Sequence, residues 1–191
     1  MKLAKQLGAI AAGVAFHFAA VNAKPAKAAF VGAYDPSRWT LINIDADGYV
    51  NTSGVPAQIQ LYGGDTNSNS PGTTDYKITA VADGVVKFKW NYLTEETGDG
   101  AAYDPFSFVK NDISTDIFSS PLETTGQGTY STTVVAGDVF SFRVTTVDNR
   151  LGRGNVTISN FNAPVPEPLT IGGSVVALGF GWWLKRRQTA S

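Results

Sequence analysis

The stretch "TEETGDGAAYDP" (94–105) crowds four carboxylates, Glu95, Glu96, Asp99 and Asp104, among glycines and alanines. Two chemistries suit such a group. Two carboxyl groups about 5–10 Å apart across a groove can hydrolyse a glycosidic bond. Several carboxylate and carbonyl oxygens gathered from turns suit a hard cation such as calcium. Composition excludes most other chemistries. The chain has no Cys, and its one His, His17, lies in an apolar leader. Once that leader is removed, no Ser-His-Asp or Cys-His arrangement can form, and neither His nor Cys remains to ligate zinc. No glycine-rich phosphate loop opens a helix. The reading is therefore non-enzymatic, with a carboxylate-based glycoside hydrolase as the rival.

The elements that would position these acids are strands. From Phe30 to Ala163 apolar and polar residues alternate, and no helical period stands out. "VVKFKWNYLT" is the clearest case, with Val86, Phe88, Trp90 and Tyr92 on one face and Lys87, Lys89 and Asn91 on the other. "WTLINID", "AQIQLYG", "YKITAVADG", "PFSFVKND" and "STDIF" add further strands. "TYSTTVVAGD" and "VFSFRVTTVDN" suggest a hairpin about Ala136-Gly137-Asp138. "NVTISNFNA" puts Val156 and Ile158 on one face and Thr157, Ser159 and Phe161 on the other. Eight or nine short strands broken by Gly, Asp, Asn and Ser turns predict an all-β, antiparallel β-sandwich with jelly-roll-like order. The polar stretch 62–75 reads as a mobile surface loop.

Both ends carry address signals. Lys2 and Lys5, an apolar run from Leu7 to Val21, and Ala26-Lys27-Ala28 or Val21-Asn22-Ala23 as the cleavage site predict a signal peptide over 1–28, read by the Sec translocon and signal peptidase. The sandwich domain is expected over 29–163. The remainder, 164–187, combines Pro166-Glu167-Pro168, an uncharged apolar segment 169–184 and Lys185-Arg186-Arg187. Sixteen helical residues reach about 24 Å, a short transmembrane helix, and basic residues keep their end cytoplasmic. Val165-Pro166-Glu167-Pro168, the short span and the basic cluster Lys185, Arg186 and Arg187 together resemble the PEP-CTERM sorting signal. That resemblance implies recognition by an exosortase membrane protease that removes the tail. It also implies an exported protein, transiently anchored in the inner membrane and then placed at the cell surface or in the extracellular matrix, with exopolysaccharide as a candidate partner. A permanent single-span anchor is the alternative.

Between residues 29 and 168 eight Lys and Arg face sixteen Asp and Glu, a net charge of −8. Such a body repels a phosphate backbone, so no nucleic-acid partner is expected. Trp39, Tyr49, Tyr62, Tyr92 and Tyr103 are candidates for a sugar platform, making a carbohydrate-binding module the alternative function, with packing in the core as the default for each. The layout "VKFKWNYLTEETGDGAAYDPFSFVKND" followed by "VFSFRVTTVDNRLGRG" resembles CUB-type sandwich domains at a distance, without that family's cysteines. The resemblance implies a calcium ion shared by Glu96, Asp104 and Asp148, with Asn149 nearby; the alternative is that these acids stabilise their own turns.

Neutralising Lys185, Arg186 and Arg187 together should weaken both retention and removal of the tail. Protease added to intact spheroplasts should digest the body, and a protected body would contradict export.

Overall fold

The computed structural model describes residues 27–96 and 98–166. They form eleven strands: β1 Lys27–Ala28, β2 Thr40–Ile44, β3 Tyr49–Asn51, β4 Gln58–Tyr62, β5 Gly72–Thr79, β6 Gly84–Thr94, β7 Phe106–Lys110, β8 Ile113–Phe118, β9 Thr125–Val134, β10 Val139–Thr146 and β11 Gly154–Pro164. Three single 3-10 turns, Gly32–Tyr34, Pro36–Arg38 and Gly100–Ala102, interrupt the loops. One sheet has the order β3-β4-β11-β6-β9, with β1 also on β11; the other runs β2-β5-β10-β7-β8. Every pairing is antiparallel. From β4 onward each connection passes from one sheet to the other except the β7–β8 hairpin. That path places β4-β11-β6-β9 opposite β5-β10-β7-β8, a jelly roll.

An aromatic layer fills the space between the sheets. Trp39 stacks on Tyr76 at 4.8 Å and on Phe142 at 5.4 Å, and its indole N–H donates to the Tyr34 carbonyl at 3.1 Å. Phe88 packs edge-on against Phe142, and Phe30 stacks on Phe161. On β6 burial alternates as expected, with Val86, Phe88, Trp90 and Tyr92 buried and Lys87, Lys89 and Asn91 exposed.

Three local expectations are corrected. The turn at Ala136-Gly137-Asp138 does not close a hairpin: β9 pairs with β6 and β10 with β5 and β7, so the turn is a corner between sheets. A turn sequence specifies a change of direction, and the partner of each strand is settled by long-range packing. Phe161 is buried, not on the Thr157–Ser159 face, because the register shifts between Ser159 and Asn162, where Asn160 takes φ 48°. A bulge of this kind turns the following side chain to the other face. The stretch 62–75 is not all loop. Tyr62 ends β4, and β5 begins at Gly72, where buried Asp75 accepts from Arg143 and from the Ser141 hydroxyl at 2.7 Å.

Lys27 and Ala28 pair with Pro164 and Ala163, inside the segment expected to leave as leader. A cut after Ala28 would remove β1, whereas a cut after Ala23 would keep it. Among the described residues no helix is long and apolar enough to cross a membrane. The expected span 169–184 lies outside them, as do nearly all of the leader, the sorting residues Glu167 and Pro168, and Lys185, Arg186 and Arg187. Of the motif, Val165 packs against the core and Pro166 is exposed.

Trp90→Ala should cost about 3–5 kcal/mol, the range for truncating a buried aromatic. Gly128 lies across from Trp90 on β9, and a Cβ there would stand 2.8 Å from the indole ring. Gly128→Val should therefore lower the melting midpoint too. Wild-type melting in both variants would show that this row faces water.

Candidate functional site

Two places gather polar chemistry: the loop end of the sandwich and the outer face of the six-stranded sheet. The loop end is tied together by Asn149, which is fully buried with φ 58°. Its side-chain amide donates to the carbonyls of Asp45 and Ser70, each at 2.8 Å. Its backbone N–H donates to the Thr146 hydroxyl at 2.9 Å, and its carbonyl accepts from the Asn67 N–H at 2.7 Å. Gly64 and Gly72 give this amide its room, since a Cβ at either position would collide with it. Three separate loops thus close on one side chain.

Glu96, Asp104 and Asp148, the acids expected to share a cation, act on one another through their charges. Asp104 is 1% exposed. Its carboxylate accepts from the Thr94 hydroxyl at 2.8 Å and is supported by Thr146, while its carbonyl accepts from the Tyr92 hydroxyl at 2.6 Å. Burial pushes its pKa up to about 6 against these hydrogen bonds, and the charges of Glu96 and Asp148 add to the rise. Glu96 is also 1% exposed, and its Oε2 has no hydrogen-bond partner. Burial raises its pKa, followed by the charges of Asp148, Asp99 and Asp65. Asp148 accepts from the Arg150 N–H at 3.0 Å, the turn role weighed as the alternative.

The three acids share one electrostatic neighbourhood but do not form a closed shell. Among the described residues no three acidic side chains are placed to hold a metal ion. Oxygen donors are the type that a hard cation takes. Buried oxygens without partners occur on Glu96 (Oε2), on Asp65 (Oδ1) and on Asn149 (Oδ1). Asp65 carries no signal of this kind in the sequence, because the fold alone brings the 63–71 loop to the others.

The outer face of the six-stranded sheet is the second place. Of the candidate platform aromatics, Trp39 and Tyr92 are buried and Tyr103 is half-buried in a loop. Tyr49 and Tyr62 face each other across β3 and β4 and stack at 4.4 Å, with Tyr49 47% exposed. Arg153 sits 5.9 Å from the Tyr49 ring and is held there by both carboxylate oxygens of Asp47 and by the Gly63 carbonyl. Arg153 is thus a fixed structural clamp. Next to the tyrosines the register aligns Asn51, Gln60, Thr157, Asn91 and Gln127 across all five strands of the main path. Asn51 donates to Gln60 at 3.2 Å, and Gln60 donates to the Thr157 hydroxyl at 3.4 Å. The following row is Gln58, Ser159, Lys89 and Thr129. A shallow depression lies over Lys89, Asn91, Gln127, Thr129 and Ser159.

No family model matches the chain, and no curated protein does. Solved structures similar to it include a family 35 carbohydrate binding module from Clostridium thermocellum, at 16% identity over 71% of this chain and 98% of that one, TM-score 0.35. CBM35 from Paenibacillus barcinonensis is similar at 17% identity over 72% and 98%, TM-score 0.35. TmCBM61, solved in complex with beta-1,4-galactotriose, is similar at 11% identity over 66% and 87%, TM-score 0.37. Likenesses this distant say nothing of what the present chain binds.

The raised pKa of Asp104 sets the pH dependence. Between its ordinary value of 3.8 and about 6 the folded state binds more protons than the unfolded one. Stability therefore falls as pH rises through that window, by roughly 3 kcal/mol for Asp104 alone. Thermal melts from pH 4 to pH 7.5 in EDTA should show the decline, and Asp104→Asn should flatten it. A wild-type profile that rises over this range would contradict the buried placement.

Proposed function

We propose that this chain is an exported, non-enzymatic β-sandwich that binds polysaccharide at the cell surface or in the extracellular matrix. In this reading an exosortase delivers it by acting on the PEP-CTERM tail. The observation that carries the binding reading is the row Asn51–Gln60–Thr157–Asn91–Gln127 beside the stacked Tyr49–Tyr62 pair, exposed at Tyr49 and half-buried at Tyr62. Amide and hydroxyl side chains both donate and accept, which matches the hydroxyls of a sugar ring. Aromatic side chains give apolar contact to its C–H surface, with a polar tip at the rim. Strands spaced about 4.8 Å apart make the row about 19 Å long, enough for an oligosaccharide. The hydrolase rival loses support at the loop end: Glu96 and Asp104 are both 1% exposed and cannot meet a substrate in a groove.

Calcium has a supporting role in this reading. Glu96 Oε2, Asp65 Oδ1 and the Asn149 amide oxygen would hold the ion, which would neutralise the mutual repulsion of the loop-end acids. A ligand at 100 times its dissociation constant adds about 2.7 kcal/mol, so millimolar calcium should raise the melting midpoint by several degrees relative to EDTA. Glu96→Gln should abolish the rise. Equal midpoints in the two buffers would leave protons as the only relief for these acids.

A glycan array probed with the full chain tests the binding reading. Binding should drop about tenfold or more in Tyr49→Ala and in Asn91→Ala. Absence of any glycan signal, or signals untouched by both changes, would overturn it.

A further inference from the structure

This inference rests on the reading of the outer face as a polysaccharide surface. We propose that its occupant is an acidic polysaccharide laid across the strands, with its carboxylates meeting Lys87 and Lys89. The charge distribution separates this face from the rest of the body. No strand of the six-stranded sheet contains an Asp or a Glu, although residues 29–168 carry a net charge of −8. Strand acids occur in the other sheet, Asp75 on β5 and Asp116 on β8, and the remaining described acids lie in loops.

Lys87 and Lys89 are exposed at successive outward positions of β6, about 7 Å apart. Among the described residues the ion pairs are Arg143–Asp75 and Arg153–Asp47, so neither lysine is engaged in one. Lysines on sheets often guard an edge against another strand. That explanation fails here, because β6 lies between β11 and β9 and has no free edge. Residues with hydrogen-bonding side chains flank each lysine in register: Ser159 and Thr129 pair with Lys89, and Asn162 and Ser131 with Lys87. The depression over Lys89, Asn91, Gln127, Thr129 and Ser159 puts one charge beside the neutral row.

The density of charge on the partner follows from the same balance. The loop acids act at a distance and are screened within about 10 Å at 0.1 M salt, whereas the lysines act at contact. A nucleic acid, with one charge per ~1.7 Å of duplex, meets too much repulsion for two lysines to offset. A chain of sugar rings bearing spaced carboxylates offers hydroxyls to the amide row and fewer charges to the loops.

The test measures binding of the full chain to polygalacturonate, to a neutral glucan of similar length and to polyglutamate, at about 0.1 M salt. Polygalacturonate should bind at least tenfold more tightly than the glucan, and Lys87→Gln with Lys89→Gln should remove about that factor. Both changes are on the exposed face, so the melting midpoint should stay unchanged and folding is not at issue. Equal affinity for acidic and neutral polymers, or unchanged affinity in the double variant, would overturn the acidic assignment while the polysaccharide reading stands. Failure to bind any glycan would overturn both. Equally tight binding of polyglutamate would reduce the face to an ion exchanger and overturn the proposal. So would a dimer, seen by sedimentation, that dissociates in the double variant, since a second copy would then be the occupant.

Discussion

Burial of one continuous aromatic layer is the constraint on which the remaining structure depends. The chain has no disulfide, and the described part has no helix beyond single 3-10 turns. Its two sheets are held by Trp39, Phe88, Phe106, Phe108, Phe140, Phe142 and Phe161. Each strand must therefore aim alternate residues at the partner sheet. Where strict alternation would aim a large side chain at water, the backbone yields instead. The bulge before Asn162 spends a positive φ at Asn160 to bring Phe161 onto Phe30. On β9, Gly126 and Gly128 leave side-chain space empty so that Phe118 and Trp90 can occupy it.

The same alternation produces the outer face. Once Val86, Phe88, Trp90 and Tyr92 are committed to the core, Lys87, Lys89 and Asn91 must point outward. Register then decides what stands beside them. The amide and hydroxyl row exists because β3, β4, β11, β6 and β9 bring one polar residue each to the same level. Cross-strand neighbours of this kind sit close enough to interact directly. The face is thus laid out by the register of hydrogen-bonded strands.

The loop end follows a different logic. Connections that cross between sheets collect at the ends of the sandwich, and here three of them converge on Asn149. Their closure shields Glu96 and Asp104 from water, and desolvation is the largest cause of the rise in both pKa values. Burial and mutual charge thus favour the protonated form of both carboxyls. The loop end adjoins the sheet face through Asp47, whose carboxylate accepts from the Asp65 N–H and pairs with Arg153 beside Tyr49.

Much of the architecture was legible in the residues. Period-two alternation is a local property, so β4, β6, β7 and the class of fold could be read directly, including the inward row of β6. The absence of Cys and the single His, at position 17, narrowed the chemistry, and in the acidic stretch 94–105 the fold buries Glu96 and Asp104. Pairing was not legible, because it depends on contacts between residues far apart in the chain. The Ala136–Asp138 turn looks the same whether it closes a hairpin or turns a corner between sheets. Asp65 entered the loop end, and Tyr49 met Tyr62, only through long-range packing. Exposure was likewise a tertiary decision: Trp39 precedes one short strand and Tyr49 opens another, and the first is core while the second faces solvent. The sequence determined which side chains could bury or bind, and packing of the two sheets decided which of them did.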